Sequence, residues 1–157
     1  MKYTLVFIIF VFSGQIAGAQ RTITFDPTTD IVALRKNADT IEMLVHPEAL
    51  ALSVRESIPG LSSVDSVRLI RLARSGYLLA YCRSANSPES AITLAILLAE
   101  TAAGTFYTDQ LVISCSSTGN CRECSLTPAC ACVKGSGSCE QSVRLINLKK
   151  VTLYPHD

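Results

Sequence analysis

Residues 67–84 read VRLIRLARSGYLLAYCRS. Two apolar runs flank Ser75-Gly76, the pattern of a β-hairpin with a two-residue loop. In that register Arg74 faces Tyr77, Leu72 faces Leu79, Ile70 faces Tyr81 and Leu69 faces Cys82. One face then carries Ile70, Leu72, Leu79 and Tyr81. The other carries Val67, Leu69, Leu78, Ala80 and Cys82. Both faces are largely apolar, so the hairpin is expected at the centre of a sheet. A helix over 64–75, ended by Gly76, is the competing reading. Its apolar residues would run all round the wheel, with no stripe to turn inward.

Working outward toward the C-terminus, Ser87-Pro88-Glu89 has the makings of a helix start: a capping serine, a proline at the first turn and an early acid. The run SPESAITLAILLAETAA predicts a main helix over about 88–103, stopped by Gly104. Ala91 to Ala99 is apolar apart from Thr93, so this helix is expected to lie against the sheet with Leu97 and Leu98 both buried. Nine residues fall well short of the ~20 that span a bilayer. A partner-binding helix is the alternative use.

Toward the N-terminus, Arg21 to Phe25 alternates as a short strand, ended by Asp26-Pro27. Asp30 to Leu34 and Thr40 to Val45 are further strand candidates, divided by the turn-like run from Lys36 to Asp39. Pro47 and Glu48 suit the first turn of a helix over 47–57, stopped by Pro59-Gly60. Thr108 to Ser114, Ser142 to Leu148 and Lys150 to Tyr154 read as later strands. The expected fold is α+β: a mostly antiparallel sheet packed on one main helix, with a cysteine-rich loop at 115–139.

That loop, CSSTGNCRECSLTPACACVKGSGSC, holds six of the seven cysteines. Between them stand mostly Ser, Gly, Thr, Asn and Pro, which offer almost nothing to bury. Without cross-links such a segment would not order. Disulfides among Cys115, Cys121, Cys124, Cys130, Cys132 and Cys139 are therefore expected. Cys82, opposite an apolar hairpin face, is expected to be a free buried thiol. A Cys82–Cys115 bridge is the rival pairing. Two other chemistries stay open. Cys121, Cys124, Cys130 and Cys132 could hold a metal as four thiolates, although the second pair is tighter than a usual zinc knuckle. Cys121-Arg122-Glu123-Cys124 could be a redox pair, although no strand–helix context surrounds it.

The compartment bears on that choice. Lys2, the apolar run Tyr3 to Phe12 and Ala17-Gly18-Ala19 fit a secretory leader over 1–19, cleaved to leave Gln20 first. The alternative is an uncleaved anchor. The expected mature unit is a single α+β domain over 20–157, exported to a periplasm or the medium, where disulfides persist. The whole chain has 14 Lys/Arg and 13 Asp/Glu; losing Lys2 leaves 13 of each and zero net charge. Zero net charge argues against nucleic acid, which needs a basic surplus, and against electrostatic membrane binding.

No motif names a catalytic residue, and no cofactor is implied. His46 reads as a turn or cap residue, and His156 stands next to the C-terminus. Asp26, Asp30, Glu89, Glu100 and Asp109 read as caps and solvated acids. The expected function is a non-enzymatic binding module that displays a stapled loop to a protein or a cell-surface ligand. The alternative is a thiol-based protein, metal-binding or redox-active.

Overall fold

The computed structural model describes residues 22–38, 40–72, 75–87, 89–126 and 129–154. The expected leader and His156 lie outside them. The elements run β1 (Ile23–Phe25), β2 (Ala33–Arg35), β3 (Ile41–Met43), α1 (Pro47–Ser57), β4 (Leu61–Leu72), β5 (Ser75–Ser84), β6 (Ala91–Glu100), β7 (Thr105–Thr118), β8 (Cys121–Ser125), β9 (Ala131–Gly135), β10 (Ser138–Leu145) and β11 (Val151–Leu153). Every pairing is antiparallel.

A seven-stranded sheet forms the frame, ordered β3-β2-β7-β6-β5-β4, with β10 beside the second half of the long β7. Two small ladders complete the molecule, β1 with β11 and β8 with β9.

The main helix expected at 88–103 is not there. Residues 91–100 are strand β6, central between β5 and β7. A strand buried on both faces is apolar throughout, and a short run of that kind cannot be told from a buried helix by its pattern. Ser87 to Ser90 close a turn instead, with the Ser90 amide donating to the Ser87 carbonyl at 2.8 Å. Gly104 does take positive φ, +76°, but in the hairpin between β6 and β7. Leu98 is buried, while Leu97, on the opposite face of the strand, is only half-buried. The single described helix is α1, with the bounds that Pro47 and Glu48 announced.

The hairpin of β4 and β5 lies at one side of the sheet and not at its centre, and residues 73–74 are outside the described ones. Leu72 pairs with Ser75 and Leu69 with Leu78, not with Leu79 and Cys82. This slides the register by an even number of residues, so Val67, Leu69 and Ile70 on β4 and the side chains of β5 keep their expected faces. β4 occupies the sheet edge, and β5 lies inside it.

One face of the sheet carries Val67, Leu78, Ala80, Cys82, Leu94, Ile96 and Val112. Together with Phe25, Leu50, Val54 and Phe106 they form the main apolar core. α1 packs there against β4, β1 and β11. The amphipathic stripe of α1 that ends in Val54 supplies the helical side of this core. Gly76 is needed in it, because a Cβ there would meet the Phe106 ring at 3.2 Å. The other face receives the cysteine-rich segment.

Candidate functional site: a cysteine cap over a charged cleft

Residues 115–139 are not a loop. β7 runs on to Thr118, β8 and β9 form a hairpin, and β10 starts at Ser138. The chain doubles back so tightly that a Cβ at Gly135 or Gly137 would collide with the backbone of Asn120 or Thr118, so both positions require glycine. The β8–β9 hairpin lies as a cap on the sheet face opposite α1. Thr93, buried in the middle of β6, anchors it by donating its hydroxyl to the Cys124 carbonyl at 2.6 Å.

Three cysteine pairs stand at disulfide distance: Cys115–Cys130, Cys121–Cys132 and Cys124–Cys139, with Cα separations of 5.5, 5.8 and 6.1 Å. Two of them tie the cap to the strands beneath it, through Cys115 on β7 and Cys139 on β10, and Cys121–Cys132 joins β8 to β9. The cap's small core is these sulfurs and little else: Cys115, Cys121 and Cys124 are buried, with Leu126 partly buried against them. The bridges stack closely. Cys121 Sγ lies 3.5 Å from Cys139 Sγ and 3.8 Å from Cys124 Sγ.

The four cysteines considered as thiolate ligands are spread over three bridges. Cys121 and Cys132 share one; Cys124 and Cys130 belong to the others. Cys121 and Cys124 do not bond to each other. Metal or redox chemistry at these residues would first require bridges to be opened.

Cys82 lies on the opposite face of the sheet from Cys115. It pairs with Ile92, whereas Cys115 pairs with Thr93, one residue along β6. Cys82 is an unpaired, buried thiol. Burial, with a smaller contribution from nearby Asp65, pushes its pKa up to about 12. A thiol held protonated to that degree is a poor nucleophile.

Between the cap and the sheet opens a cleft of about 640 Å³. Asp65 and Arg83 line its sheet side, beside Tyr81 and Ala91; Arg122, Glu123 and Lys134 line its cap side, with Glu89 at the turn before β6. Asp65 sits at a bulge in β4 and accepts from the Ser63 hydroxyl at 2.8 Å and from Arg83 at 3.0 Å. These contacts, the serine first, hold its carboxyl below the usual range. Glu123 and Lys134 are cross-strand neighbours on β8 and β9. The site therefore gathers charges of both signs, of which Asp65 and Arg83 hold each other.

Sequence reasoning did not assemble this cleft. Arg122 and Glu123 stood out only as the middle of a CxxC, and Glu89 only as a helix-start acid. Its residues come from five separate stretches, and only the topology joins them. The other acids stay local or structural. Asp26 accepts from the Thr28 amide and hydroxyl, and Asp109 from the Gln110 amide. Asp30 accepts from the Asp26 amide. Glu100 forms a two-pronged pair with Arg35, at 2.6 Å for each contact. His46 holds the N-cap position of α1 without a side-chain cap bond.

No protein-family model, curated protein or solved structure matches this chain. Among the described residues no helix is long and apolar enough to cross a membrane.

Proposed function

We propose that the protein is an exported binding module in which the sheet is the scaffold and the cysteine cap, with the cleft beneath it, is the binding surface. The observation that supports this reading most is the cleft itself: Glu89, Arg122, Glu123 and Lys134 surround it, and none of them has an ion pair among the described residues. Charges left free on a cross-linked frame are ready for a partner, because little ordering remains to be done on binding. The ligand class that fits is a protein or cell-surface ligand bearing both signs of charge. In this reading residues 1–19 are a leader removed on export, the mature chain starts at Gln20, the six cap cysteines stay oxidised and Cys82 stays an inert thiol.

The test is an array of peptides and glycans probed with labelled protein. Binding is expected to disappear in Arg122→Glu and Lys134→Glu and to fall in reductant. Ligands that bind equally well after both changes would overturn the cleft as the site. Mass spectrometry of exported material should find Gln20 first; an intact Met1 would overturn the leader.

The thiol reading retains one observation in its favour. The sulfurs of Cys121, Cys132 and Cys139 all lie within 4.8 Å of one another, as do those of Cys115, Cys124 and Cys139. Once reduced, such a cluster has the reach to hold a soft metal. Thiol titration and metal analysis of the exported protein separate the readings. A single thiol reactive only after denaturation supports the binding module; several thiols with stoichiometric zinc or iron select the thiol protein.

A further inference from the structure

β10 bonds to β7 on one side only, and no described strand lies on its other side. The direction of its free groups follows from one hydrogen bond. The Ile146 amide donates to the Gln110 carbonyl on β7 at 2.7 Å, in the register that pairs Leu145 with Leu111. Along an antiparallel strand the residues alternate between facing a neighbour and facing away. So Arg144, Ser142 and Glu140 bond toward β7, while the N–H and C=O groups of Leu145, Val143, Gln141 and Cys139 point outward. An exposed strand edge of this length is a template for another strand. It also carries Val143 at 56% and Leu145 at 76% exposure, apolar surface with no cover among the described residues.

The side chains say which strand fits. Glu140 and Arg144 lie on one face of β10, two residues either side of Ser142, and both are exposed. Four residues of strand separate them by about 13 Å, too far to pair with each other. Neither has an ion pair among the described residues. Consider a second copy of β10 added antiparallel across the free edge. A two-fold axis falling between residues would set outward groups against inward ones, so it must pass through a residue. Centred on Val143, the axis sets Arg144 against Ser142; centred on Gln141, it sets Glu140 against Ser142. Centred on Ser142, it sets Glu140 of each copy against Arg144 of the other, twice over. In that register Glu140 and Arg144 occupy a non-hydrogen-bonded pair, where facing side chains come closest. The bonded pairs are then Gln141 with Val143 and Cys139 with Leu145.

We infer that β10 is a self-complementary edge through which two copies of this chain form a symmetric, continuous sheet centred on Ser142. The contact is isologous and closes on itself, so it yields a dimer and not a fibre. It is independent of the cap cleft, and no intermolecular disulfide is involved.

The test is sedimentation equilibrium of the protein expressed from its full-length sequence and purified from the exported fraction. The wild type should show a concentration-dependent monomer–dimer equilibrium, weakened by salt. Glu140→Arg or Arg144→Glu creates two like-charge contacts per dimer, and each should raise the dissociation constant by on the order of tenfold. The double swap E140R/R144E restores the opposed signs and should restore the dimer. Val143→Pro removes an outward N–H without touching the bonds to β7, and it should leave only monomer. Circular dichroism of each variant checks that the fold is retained. A protein that stays monomeric at all accessible concentrations overturns the inference. So does a dimer indifferent to Val143→Pro, or one that the double swap does not rescue.

Discussion

Beneath α1 the main core buries Phe25, Leu78, Ile96 and Phe106 completely; under the cap the fully or nearly fully buried side chains are cysteines and the polar Thr93. The first region is ordered by water leaving apolar surface, which contributes ~25 cal/mol for each Å² covered. The second has almost no such surface and is ordered by three cross-links, each of which limits the open chain. On this difference the sheet is expected to fold without the cap's bridges, whereas the cap should need both the sheet and its bridges. The comparison teaches how one short chain can combine a stable scaffold with a polar, charged surface. The cap can afford Arg122, Glu123 and Lys134 around a cleft because its order does not depend on apolar residues at those positions.

The largest expected effect lies in the sheet. Phe106→Ala empties a wholly buried site against Gly76 and should cost about 3–5 kcal/mol of global stability, read by denaturant unfolding. A loss under about 1 kcal/mol would mean that the core collapses around the gap and is less specific than described.

Removing one bridge comes next. The double variant Cys124→Ala/Cys139→Ala should cost ~2–4 kcal/mol, and the loss should be confined to the cap. The check is limited proteolysis between residues 121 and 135. Cleavage there with an unchanged thermal transition for the sheet is the expected result; a lowered sheet transition would erase the distinction between the regions.

Thr93→Val acts at the seam. It removes the buried hydroxyl that donates to the Cys124 carbonyl, at about 1 kcal/mol. Faster amide exchange in β8 with β6 unaffected would locate Thr93 as the anchor. Unaltered exchange in β8 would show that the bridges alone hold the cap.

The smallest effect is that of acid. The carboxyls of Asp26, Asp65 and Glu100 are all held low, by contacts from Thr28, Ser63 and Arg35 respectively. A depressed folded pKa gives stability that is present above the ordinary carboxylate range and is lost as pH falls through it. The thermal midpoint of the sheet should therefore decline modestly between about pH 5 and about pH 3, while the oxidised cap keeps its protection from exchange. An increase in stability over that range would contradict these partners.

The two regions also differed in how far the sequence revealed them. α1 was legible because Pro47, Glu48 and Pro59-Gly60 are local signals that act on their own neighbours. The antiparallel sheet was legible through the 67–84 hairpin, whose faces survived a displaced turn because the register slid by an even number of residues. β6 was misread as the main helix because a strand covered on both sides loses the alternation that identifies strands. The β8–β9 hairpin carried no hydrophobic pattern to read. Its ladder is fixed by Cys121–Cys132 and by glycines that permit close backbone crossing, and pairings of that kind are not written in local spacing. The cleft was invisible for a simpler reason. Asp65, Glu89, Arg122 and Lys134 are distant in sequence, and each alone looks like a solvated charge.

Hydrogen exchange with and without reductant, on the oxidised and the reduced protein, tests the division most directly. Residues 121–135 should lose protection when the bridges are opened, while 77–83, 92–98 and 106–112 in β5, β6 and β7 keep theirs. Loss of protection in all these segments together would show one cooperative unit held by its disulfides, and would contradict the account.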